Sequence, residues 1–288
     1  MIFYGRSTNT DNSSATRVYE LWPSDGNTIV CFGACITGRN PILLIVALTC
    51  ASIPYFSFIN TRIPDTGETA WPISVWFLTV WFLLTVALIL KISLMDPGII
   101  PRRSLLDAIV KRKTKRDPEN DTADFLLDPF KDSPGAVFCF TCGIHRPLDA
   151  SHCSDCNNCV IGFDHHCSVL NNCIGTRNYP YFVGLLPCIF MLTVSFVMQI
   201  KLTTPDTGNQ ETFDSLFILI MLRDLSLFIA VVALLFVICF SMYHAWLLFG
   251  ARMTTKAHLT GRGQRNLSII DRLKGSDSLI QLTALLNE

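Results

Sequence analysis

The chain has 288 residues, of which 50% are hydrophobic and only 16% are charged, below the roughly 25% charged fraction of ordinary globular domains. Lys and Arg together number 23, as do Asp and Glu, so the formal net charge is zero. This balance argues against a nucleic-acid-binding protein, and the hydrophobicity excludes an intrinsically disordered chain.

Four apolar stretches of the chain are long enough to cross a membrane as helices. About 20 mostly apolar residues are needed, because the hydrocarbon core is roughly 30 Å thick. The alternative is four buried helices of a soluble protein, but stretches of this length without a polar face favour membrane spans. We interpret the run Leu216–Leu222, which Arg223 and Asp224 interrupt, as an interfacial extension. The predicted spans are Ile42–Ile59, Trp71–Leu94, Tyr181–Ile200 and Leu225–Gly250.

The distribution of Lys and Arg predicts the side of the membrane on which each loop lies, because cytosolic loops carry an excess of these residues. Basic residues are dense between the second and third spans, where the run Lys111–Arg116 lies, and again after the fourth span, as at Arg252 and Lys256. We therefore expect both termini and the long segment 95–180 to be cytosolic. The polar first 28 residues show no cleavable signal peptide.

The 12 cysteines are unevenly placed, with seven of them between Cys139 and Cys173. The cytosol is reducing, so closely spaced cysteines on this side favour metal binding over a disulfide framework, which is the alternative. Two overlapping copies of C-x2-C-x9-H-x6-C are present, shifted by 14 residues. Because zinc takes four Cys or His ligands in a tetrahedron, the repeat predicts two zinc sites with interleaved ligands. The first set is Cys139, Cys142, His152 and Cys159, and the second is Cys153, Cys156, His166 and Cys173.

One cysteine of the cluster, Cys167, is left over once both copies of the repeat are assigned. It stands in the run Asp164-His165-His166-Cys167, beside a second unassigned residue, His165. Such a group has the parts of a nucleophilic centre, because a His can take the thiol proton while an Asp orients the imidazole. A structural thiol or a further metal ligand is the alternative, and the count of cysteines does not decide between them.

The stretch Cys139–Phe182 resembles the cysteine-rich domain of the DHHC protein S-acyltransferases, or palmitoyltransferases. The predicted spans, with the cluster between the second and third, also match that family, as does the turn Asp96-Pro97-Gly98 after the second span. The matching elements in the cluster are Cys139-x2-Cys142, Arg146-Pro147, Ser151-His152-Cys153-Ser154-x-Cys156-Asn157-x-Cys159-Val160, Phe163-Asp164-His165-His166-Cys167 and Asn171-Asn172-Cys173-Ile174-Gly175-x-Arg177-Asn178-Tyr179.

The resemblance implies a protein S-acyltransferase that moves a long-chain fatty acyl group, such as palmitoyl, from acyl-CoA to cysteines of membrane-associated substrate proteins. Cys167 would attack the thioester, with His165 as the base and Asp164 orienting it, to give an acyl-Cys167 intermediate. The cofactors would be two structural zinc ions, and acyl-CoA would be the co-substrate. The partners implied are membrane lipid, acyl-CoA and the substrate proteins, with no nucleic acid, and the location is the Golgi, the endoplasmic reticulum or the plasma membrane.

These observations predict an all-α integral membrane protein with four transmembrane helices and a cytosolic zinc-binding, cysteine-rich domain between the second and third. The predicted parts are a cytosolic N-terminal segment at 1–41, transmembrane helices 1 and 2 at 42–95, a cytosolic linker at 96–138, the cysteine-rich domain at 139–180, transmembrane helices 3 and 4 at 181–250, and a cytosolic tail at 251–288.

Three departures from the family pattern bear on activity. They keep open an alternative function, a catalytically weak or inactive membrane scaffold whose zinc module binds partner proteins. A membrane zinc-finger ubiquitin ligase is disfavoured, because the ligand spacing does not fit the RING arrangement. The departures are Ser168-Val169 where the family has Pro-Trp, Asp149 in place of an arginine, and Thr254-Thr255-Lys256-Ala257, which lacks the glutamate of a Thr-Thr-x-Glu motif.

Overall fold

A computed structural model describes residues 26–31, 35–62, 73–116, 127–202 and 213–261. The described residues fall into two compact units, one drawn from 26–31, 35–44, 90–116, 127–182 and 246–261, the other from 45–62, 73–89, 183–202 and 213–245. The helices are α1 (Ile42–Arg62), α2 (Ile73–Leu94), α3 (Arg103–Arg116), α4 (Tyr179–Leu202), α5 (Phe213–Ala245) and α6 (Thr255–Thr260), with a π-helical turn at Trp246–Gly250. The strands are β1 (Thr28–Val30), β2 (Cys35–Thr37), β3 (Ile99–Ile100), β4 (Val137–Cys139), β5 (Ile144–Arg146), β6 (Ser151–Cys153), β7 (Asn158–Val160), β8 (His165–Cys167) and β9 (Asn172–Ile174).

The second of these units is helical and presents large apolar side chains on its outside. Within it, the ring of Tyr55 on α1 stacks on that of Phe82 on α2, with 4.1 Å between the ring centroids. Both rings pack against a small core to which α4 contributes Leu192. On α5, by contrast, Phe228 and Phe236 are 67% and 66% exposed. Exposed apolar surface of this kind is typical of a chain whose solvent is lipid.

Three helices of the described residues are long and apolar enough to cross a membrane, and they correspond to the second, third and fourth predicted spans. At the first predicted span the chain is helical throughout, but its apolar stretch, Ile42–Ile53, is shorter, so this span stays a prediction. The run Leu216–Leu222 is part of the continuous helix α5. The three qualifying helices are Val75–Leu94, Tyr179–Met198 and Asp224–Gly250.

The cysteine-rich unit is built on short β-hairpins, so the predicted all-α class is wrong for this part of the chain. Strands β4 and β5, β6 and β7, and β8 and β9 pair as antiparallel hairpins, and β3 adds to β7. Near the N-terminus, β1 and β2 form another antiparallel pair. Strands of two or three residues are too short for an alternation of apolar and polar side chains to be recognised in the sequence. The closely spaced Cys pairs lie at the turns between these strands.

Two small apolar cores surround the sulfur atoms of this unit. In one, Ile100, Phe130 and Ile144 are fully buried beside Cys139 and other ligands of the first predicted set. In the other, a set of aliphatic side chains packs against Cys153, Cys156 and Cys173. The segment 96–138, predicted as a linker, contributes β3, α3 and Phe130 to this unit, and its residues 117–126 lie outside the described part of the chain.

The turn after α2 attaches the end of that helix to the hairpins. One carboxylate oxygen of Asp96 accepts hydrogen bonds from the backbone N–H groups of Gly98 and Ile99, at 2.8 and 2.9 Å. The other oxygen forms an ion pair with Arg177, which precedes α4. This turn leads directly into β3, whose residue Ile99 pairs with Val160 on β7. The Asp96 turn therefore connects the C-terminal end of α2 with the ligand-bearing strands.

Candidate functional site

The structure brings the eight predicted metal ligands together in the two predicted sets of four. In each set the three sulfur atoms and one imidazole nitrogen lie within 4.8 Å of one another. The hairpin β4–β5 supplies Cys139 and Cys142, while His152 and Cys159 face each other across β6 and β7. The β6–β7 hairpin also supplies Cys153 and Cys156 to the second set, so the two clusters share a hairpin and interleave as the repeat predicted.

Distances within the clusters fit the dimensions of a tetrahedral zinc site. Bonds of about 2.3 Å to sulfur and about 2.0 Å to nitrogen place those two ligand atoms about 3.6 Å apart at tetrahedral angles. The Sγ atoms of Cys139, Cys142 and Cys159 lie 3.6, 3.4 and 3.9 Å from Nδ1 of His152. In the second cluster, the Sγ atoms of Cys156 and Cys173 lie 3.4 and 3.7 Å from Nδ1 of His166.

The chemistry of the ligands also suits a metal rather than disulfides. All 12 cysteines lie in the described part of the chain, and all are free. In the first cluster, hydrogen bonding from the Cys159 thiol lowers the pKa of Cys142 to about 5, against the effect of burial. A set of three soft sulfur ligands and one imidazole is the preferred environment of zinc among the common divalent ions. The two clusters could therefore each bind a metal ion.

The β8–β9 hairpin, which carries Cys167, has a sequence similar to that of the β6–β7 hairpin, which contributes residues to both clusters. Shifted by 14 residues, His152-Cys153-Ser154 corresponds to His166-Cys167-Ser168, and Asn157-Asn158-Cys159 corresponds to Asn171-Asn172-Cys173. Both Asn157 and Asn171 have φ of 50°, a left-handed conformation that Asn tolerates better than most residues. The repeat is broken in the middle of the turn, where the buried Leu170 stands in place of the ligand Cys156. Cys167 therefore occupies the position of a metal ligand in a hairpin that lacks its partner sulfur.

The three predicted catalytic residues lie in one hydrogen-bonded series. Asp164 is buried, and its carboxylate accepts a hydrogen bond from Nδ1 of His165 at 2.9 Å. With Nδ1 engaged in that bond, Nε2 is the ring nitrogen left for the Cys167 thiol, to which His165 is also hydrogen-bonded. The ring of Phe182 meets the His165 imidazole edge-to-face, with 5.3 Å between the centroids. Asp164 and Phe182 together restrict the rotation of the imidazole.

Opposite pKa shifts of His165 and Cys167 favour charge separation between them. Burial lowers the pKa of His165, but hydrogen bonds with Asp164 and Cys167 overcome this effect and raise it to about 9. Burial raises the pKa of the Cys167 thiol, yet the hydrogen bond from His165, aided by the backbone N–H groups of Leu170 and Val169, leaves it below the usual value. A lowered thiol pKa beside a protonated imidazole is typical of a nucleophilic cysteine.

Asp164 is held from the other side by the segment that follows the last predicted span. Its carboxylate accepts hydrogen bonds from the backbone N–H of Thr255 at 3.0 Å and from the hydroxyl of Thr255 at 2.6 Å. In addition, the backbone N–H of Lys256 donates to the carbonyl oxygen of Asp164 at 3.1 Å. The buried carboxylate is thus surrounded by donors that stabilise its charged form.

Asn172 fixes the strand opposite Cys167 to the end of α2. Asn172 is fully buried and directly opposes Cys167 in the β8–β9 pair. Its side-chain N–H₂ donates to the carbonyl oxygens of Ile92 and Met95, both at 2.8 Å. Ile92 lies in the last turn of α2, where intrahelical donors run out, and Met95 directly follows the helix. Sequence reasoning included Asn172 in a motif but did not identify this role, since nothing local in the sequence indicates a contact over such a separation.

Residues 132–262 match the family model described as DHHC palmitoyltransferase. These 131 residues are less than half of the 288-residue chain and are similar to a DHHC palmitoyltransferase domain. They include both cysteine clusters, the series from Asp164 to Cys167, and the Thr255 segment that contacts Asp164. The resemblance noted from the motifs is confirmed.

Curated relatives of the DHHC domain carry names that agree with this assignment. Probable protein S-acyltransferase 2 of Arabidopsis thaliana is 29% identical over 226 residues, which cover 72% of this chain and 54% of the relative. Palmitoyltransferase ERF2 of Debaryomyces hansenii is 39% identical over 126 residues, 40% of this chain and 34% of the relative. Human palmitoyltransferase ZDHHC14 is 28% identical over 208 residues, 69% of this chain and 42% of the relative. The chain spans about half the length of the curated relatives it matches.

Two of the departures from the family pattern, at Val169 and Ala257, lie within two residues of Cys167 and Thr255, and neither interrupts the hydrogen-bonded series. Val169, in place of a tryptophan, is 50% exposed on the turn after Cys167. Ala257, in place of a glutamate, is buried, and its backbone N–H donates to the hydroxyl oxygen of Thr254 at 3.1 Å, which caps α6. The bonds from Thr255 to Asp164 are present without the glutamate. Asp149 is half-buried in the turn between β5 and β6.

Proposed function

We propose that this protein is a protein S-acyltransferase that moves a long-chain fatty acyl group, such as palmitoyl, from acyl-CoA to cysteines of membrane-associated proteins. The observation that supports this most directly is the hydrogen-bonded series of Asp164, His165 and Cys167, which gives a thiol both a base and an orienting carboxylate. The names of the curated relatives agree with the same reaction.

In the first step, the thiolate of Cys167 attacks the carbonyl carbon of the acyl-CoA thioester. A bond forms between Sγ and that carbon, and the bond from the carbon to the CoA sulfur breaks. The departing CoA thiolate takes the proton that His165 carries, so that CoA leaves as a thiol and His165 becomes neutral. The raised pKa of His165 suits this role, because the imidazole holds its proton until the leaving group develops charge.

In the second step, the neutral His165 accepts a proton from a cysteine thiol of the substrate protein. That cysteine attacks the acyl-Cys167 carbonyl, its sulfur becomes bonded to the acyl carbon, and Cys167 is released as the thiolate. His165 is again protonated, which restores the starting pair. Asp164 stabilises the imidazolium at the beginning and the end of the cycle, because its buried carboxylate remains hydrogen-bonded to Nδ1.

Two structural zinc ions are proposed as the cofactors. When bound, zinc supplies charge neutralisation to the clustered thiolates and thereby holds the hairpins together. The four residues of each cluster would fill the coordination positions of a structural zinc ion, so that the ion would take no direct part in the reaction. The proposed ligands are Cys139, Cys142, His152 and Cys159 for one ion, and Cys153, Cys156, His166 and Cys173 for the other.

The proposed arrangement in the membrane has four spans, with α1 as the first, and places both termini and the cysteine-rich domain in the cytosol. The bias of Lys and Arg supports this orientation. Acyl-CoA is a charged cytosolic metabolite, so its site of reaction must also face that side. The proposed location is the Golgi, the endoplasmic reticulum or the plasma membrane, and the six-part division of the chain given above remains our proposal.

Acyl-enzyme formation in the purified full-length chain tests the proposed function. The protein in detergent micelles is incubated with a labelled palmitoyl-CoA, and thioester-linked label is identified by its release with neutral hydroxylamine. We expect label on the wild type and on Cys239→Ser, a matched control for an exposed thiol on α5, and none on Cys167→Ser. Absence of label on a wild-type protein that retains two zinc ions would refute the proposal and favour the scaffold function.

A further inference from the structure

The strands β1 and β2 with their flanking residues, 26–31 and 35–40, form an N-terminal hairpin that packs on the second metal cluster. Ile36 is 2% exposed and lies in the core that contains Cys153, Cys156 and Cys173. At one end of this hairpin, the side-chain oxygen of Asn27 accepts a hydrogen bond at 2.7 Å from Asn158, which follows the turn after Cys153. The N-terminal hairpin is therefore integral to the cysteine-rich unit.

The same hairpin is hydrogen-bonded to the turn that follows Cys167, and the residue of that turn that makes these hydrogen bonds is Asn171. The backbone N–H of Gly38 donates to the carbonyl oxygen of Asn171 at 2.6 Å. The side-chain N–H₂ of Asn171 donates to the Gly38 carbonyl oxygen at 2.9 Å and to the Thr37 hydroxyl at 3.1 Å. Its side-chain oxygen accepts a hydrogen bond from the backbone N–H of Asn40 at 3.2 Å. These bonds join residues between 131 and 134 positions apart in the chain.

Asn171 closes the turn from which two backbone N–H groups point to the Cys167 sulfur. Its own N–H donates to the carbonyl oxygen of Ser168 at 3.2 Å, which defines the turn between β8 and β9. The backbone N–H groups of Val169 and Leu170 lie inside this turn and help to lower the pKa of the Cys167 thiol, and Asn172, the next residue after Asn171, pairs directly with Cys167. Because Asn171 is 4% exposed and fully engaged with the N-terminal hairpin, the position of these donors depends on that hairpin.

We propose that Asn171 is a positioning residue for acyl transfer and that the N-terminal hairpin acts on the reaction through it. This inference rests on the proposed function, since it concerns the same cysteine. Donors held in place before the reaction stabilise developing charge without reorganisation. A misplacement of about 1 Å can cost about 100-fold in rate. The segment before the first predicted span is then part of the reaction centre, although it contributes no group that touches the substrate.

Gly38 and Thr37 allow the contact to be disturbed without changing any residue near Cys167. A Cβ atom at Gly38 would lie 2.6 Å from the side-chain oxygen of Asn171 and 2.7 Å from its carbonyl oxygen, so Gly38→Ala must move Asn171 and the N-terminal hairpin apart. Thr37→Val removes only the hydroxyl group, and Thr37→Ser retains it. The matched control is Gly184→Ala on α4, because a Cβ atom there meets nothing within 4 Å.

Three measurements on the full-length chain in detergent micelles separate positioning from a merely structural role. The first is the zinc content of each variant. The second is acyl-enzyme formation with labelled palmitoyl-CoA, analysed as kcat and KM. The third is the rate of alkylation of Cys167 by iodoacetamide, followed on the peptide that contains it, which does not depend on acyl transfer.

We expect Gly38→Ala and Thr37→Val to retain two zinc ions and a KM within about twofold of the wild type, while kcat falls about 10-fold or more. Thr37→Ser should stay within about threefold, and the alkylation of Cys167 should slow in the two disruptive variants only. Wild-type kcat and alkylation rates in both disruptive variants would overturn the inference, as would loss of zinc from Thr37→Val, which would indicate a structural role. If the wild type forms no acyl-enzyme, the proposed function fails, and the alkylation rates still decide whether Asn171 positions Cys167.

Discussion

Removing the hydroxyl of Thr255 should slow acyl-enzyme formation, because that hydroxyl stabilises the buried carboxylate that orients His165. The substitution Thr255→Val keeps the size and branching of the side chain. It deletes the 2.6 Å hydrogen bond to Asp164, whose side chain is 0% exposed. The backbone N–H of Thr255 and the imidazole of His165 remain as donors. The change therefore weakens the support of Asp164 without leaving its charge unpaired.

The size of the effect follows from the energy of a hydrogen bond to a charged group, about 1.5–3 kcal/mol. An increase of about 1.4 kcal/mol in the activation free energy slows a reaction tenfold. If the whole loss of hydrogen-bond energy raised the barrier to acylation, the rate would fall about 10- to 150-fold. Because two donors to the Asp164 carboxylate remain, we expect a value near the lower end, about 10-fold. The rest of the loss should appear as reduced thermal stability of the DHHC domain.

Single-turnover acylation with labelled palmitoyl-CoA measures this rate directly. Thr255→Ser retains the hydroxyl and should acylate at close to the wild-type rate. Thr260→Val is the matched control on the same helix, because its hydroxyl is exposed and donates a local hydrogen bond to the Lys256 carbonyl oxygen at 2.7 Å. An unchanged acylation rate in Thr255→Val, or an equal loss in Thr260→Val, would contradict the role assigned to the contact with Asp164.

The remaining predictions concern the metal clusters and the packing around them. Cys153→Ser should lower the zinc content from about two ions to about one per chain, as measured by elemental analysis; an unchanged content would contradict its role as a ligand. Asn172→Ala should destabilise the protein by about 2–3 kcal/mol in denaturant unfolding, because buried carbonyl groups lose their donor; a change under about 0.5 kcal/mol would contradict this. Gly175→Ala should fail to fold, since its Cβ would lie 2.5 Å from the Pro97 carbonyl oxygen, whereas Gly184→Ala should fold normally.

The grouping of the metal ligands could be predicted because the repeat encodes it locally. Each Cys pair, such as Cys139 and Cys142, is separated by two residues in a tight turn, and the following His and Cys face each other across a hairpin. The identical offsets of both copies fix which residues belong together before any tertiary contact is known. The sequence contains no comparable signal for the strands, because they are too short to show an alternation of apolar and polar residues. The predicted all-α class was therefore wrong for this part of the chain.

Contacts that cross the chain carry no comparable local signal. The bond between Thr255 and Asp164 joins residues 91 positions apart, and the sequence around Thr255 indicated only an incomplete family motif. The attachment of Thr37 and Gly38 to Asn171 was not predicted at all, because a polar segment before a membrane span has no feature that indicates its docking site. Such contacts depend on how the hairpins stack and on buried amide side chains such as that of Asn171, and the periodicity of the sequence indicates neither.

The repeated hairpin explains why a thiol remains free in a region built to bind metal. Cys167 and Cys153 occupy equivalent positions, but the turn after Cys167 offers the apolar Leu170 where the other turn offers Cys156. A metal-bound thiolate shares its charge with the ion and is one of the four ligands of that ion. With one sulfur missing, the third hairpin cannot complete a site of the same kind, and His165 stands where the earlier hairpin has Ser151. The same hairpin fold thus places Cys153 in a cluster that could bind a metal ion and leaves Cys167 beside an imidazole, which is the arrangement that the proposed nucleophile requires.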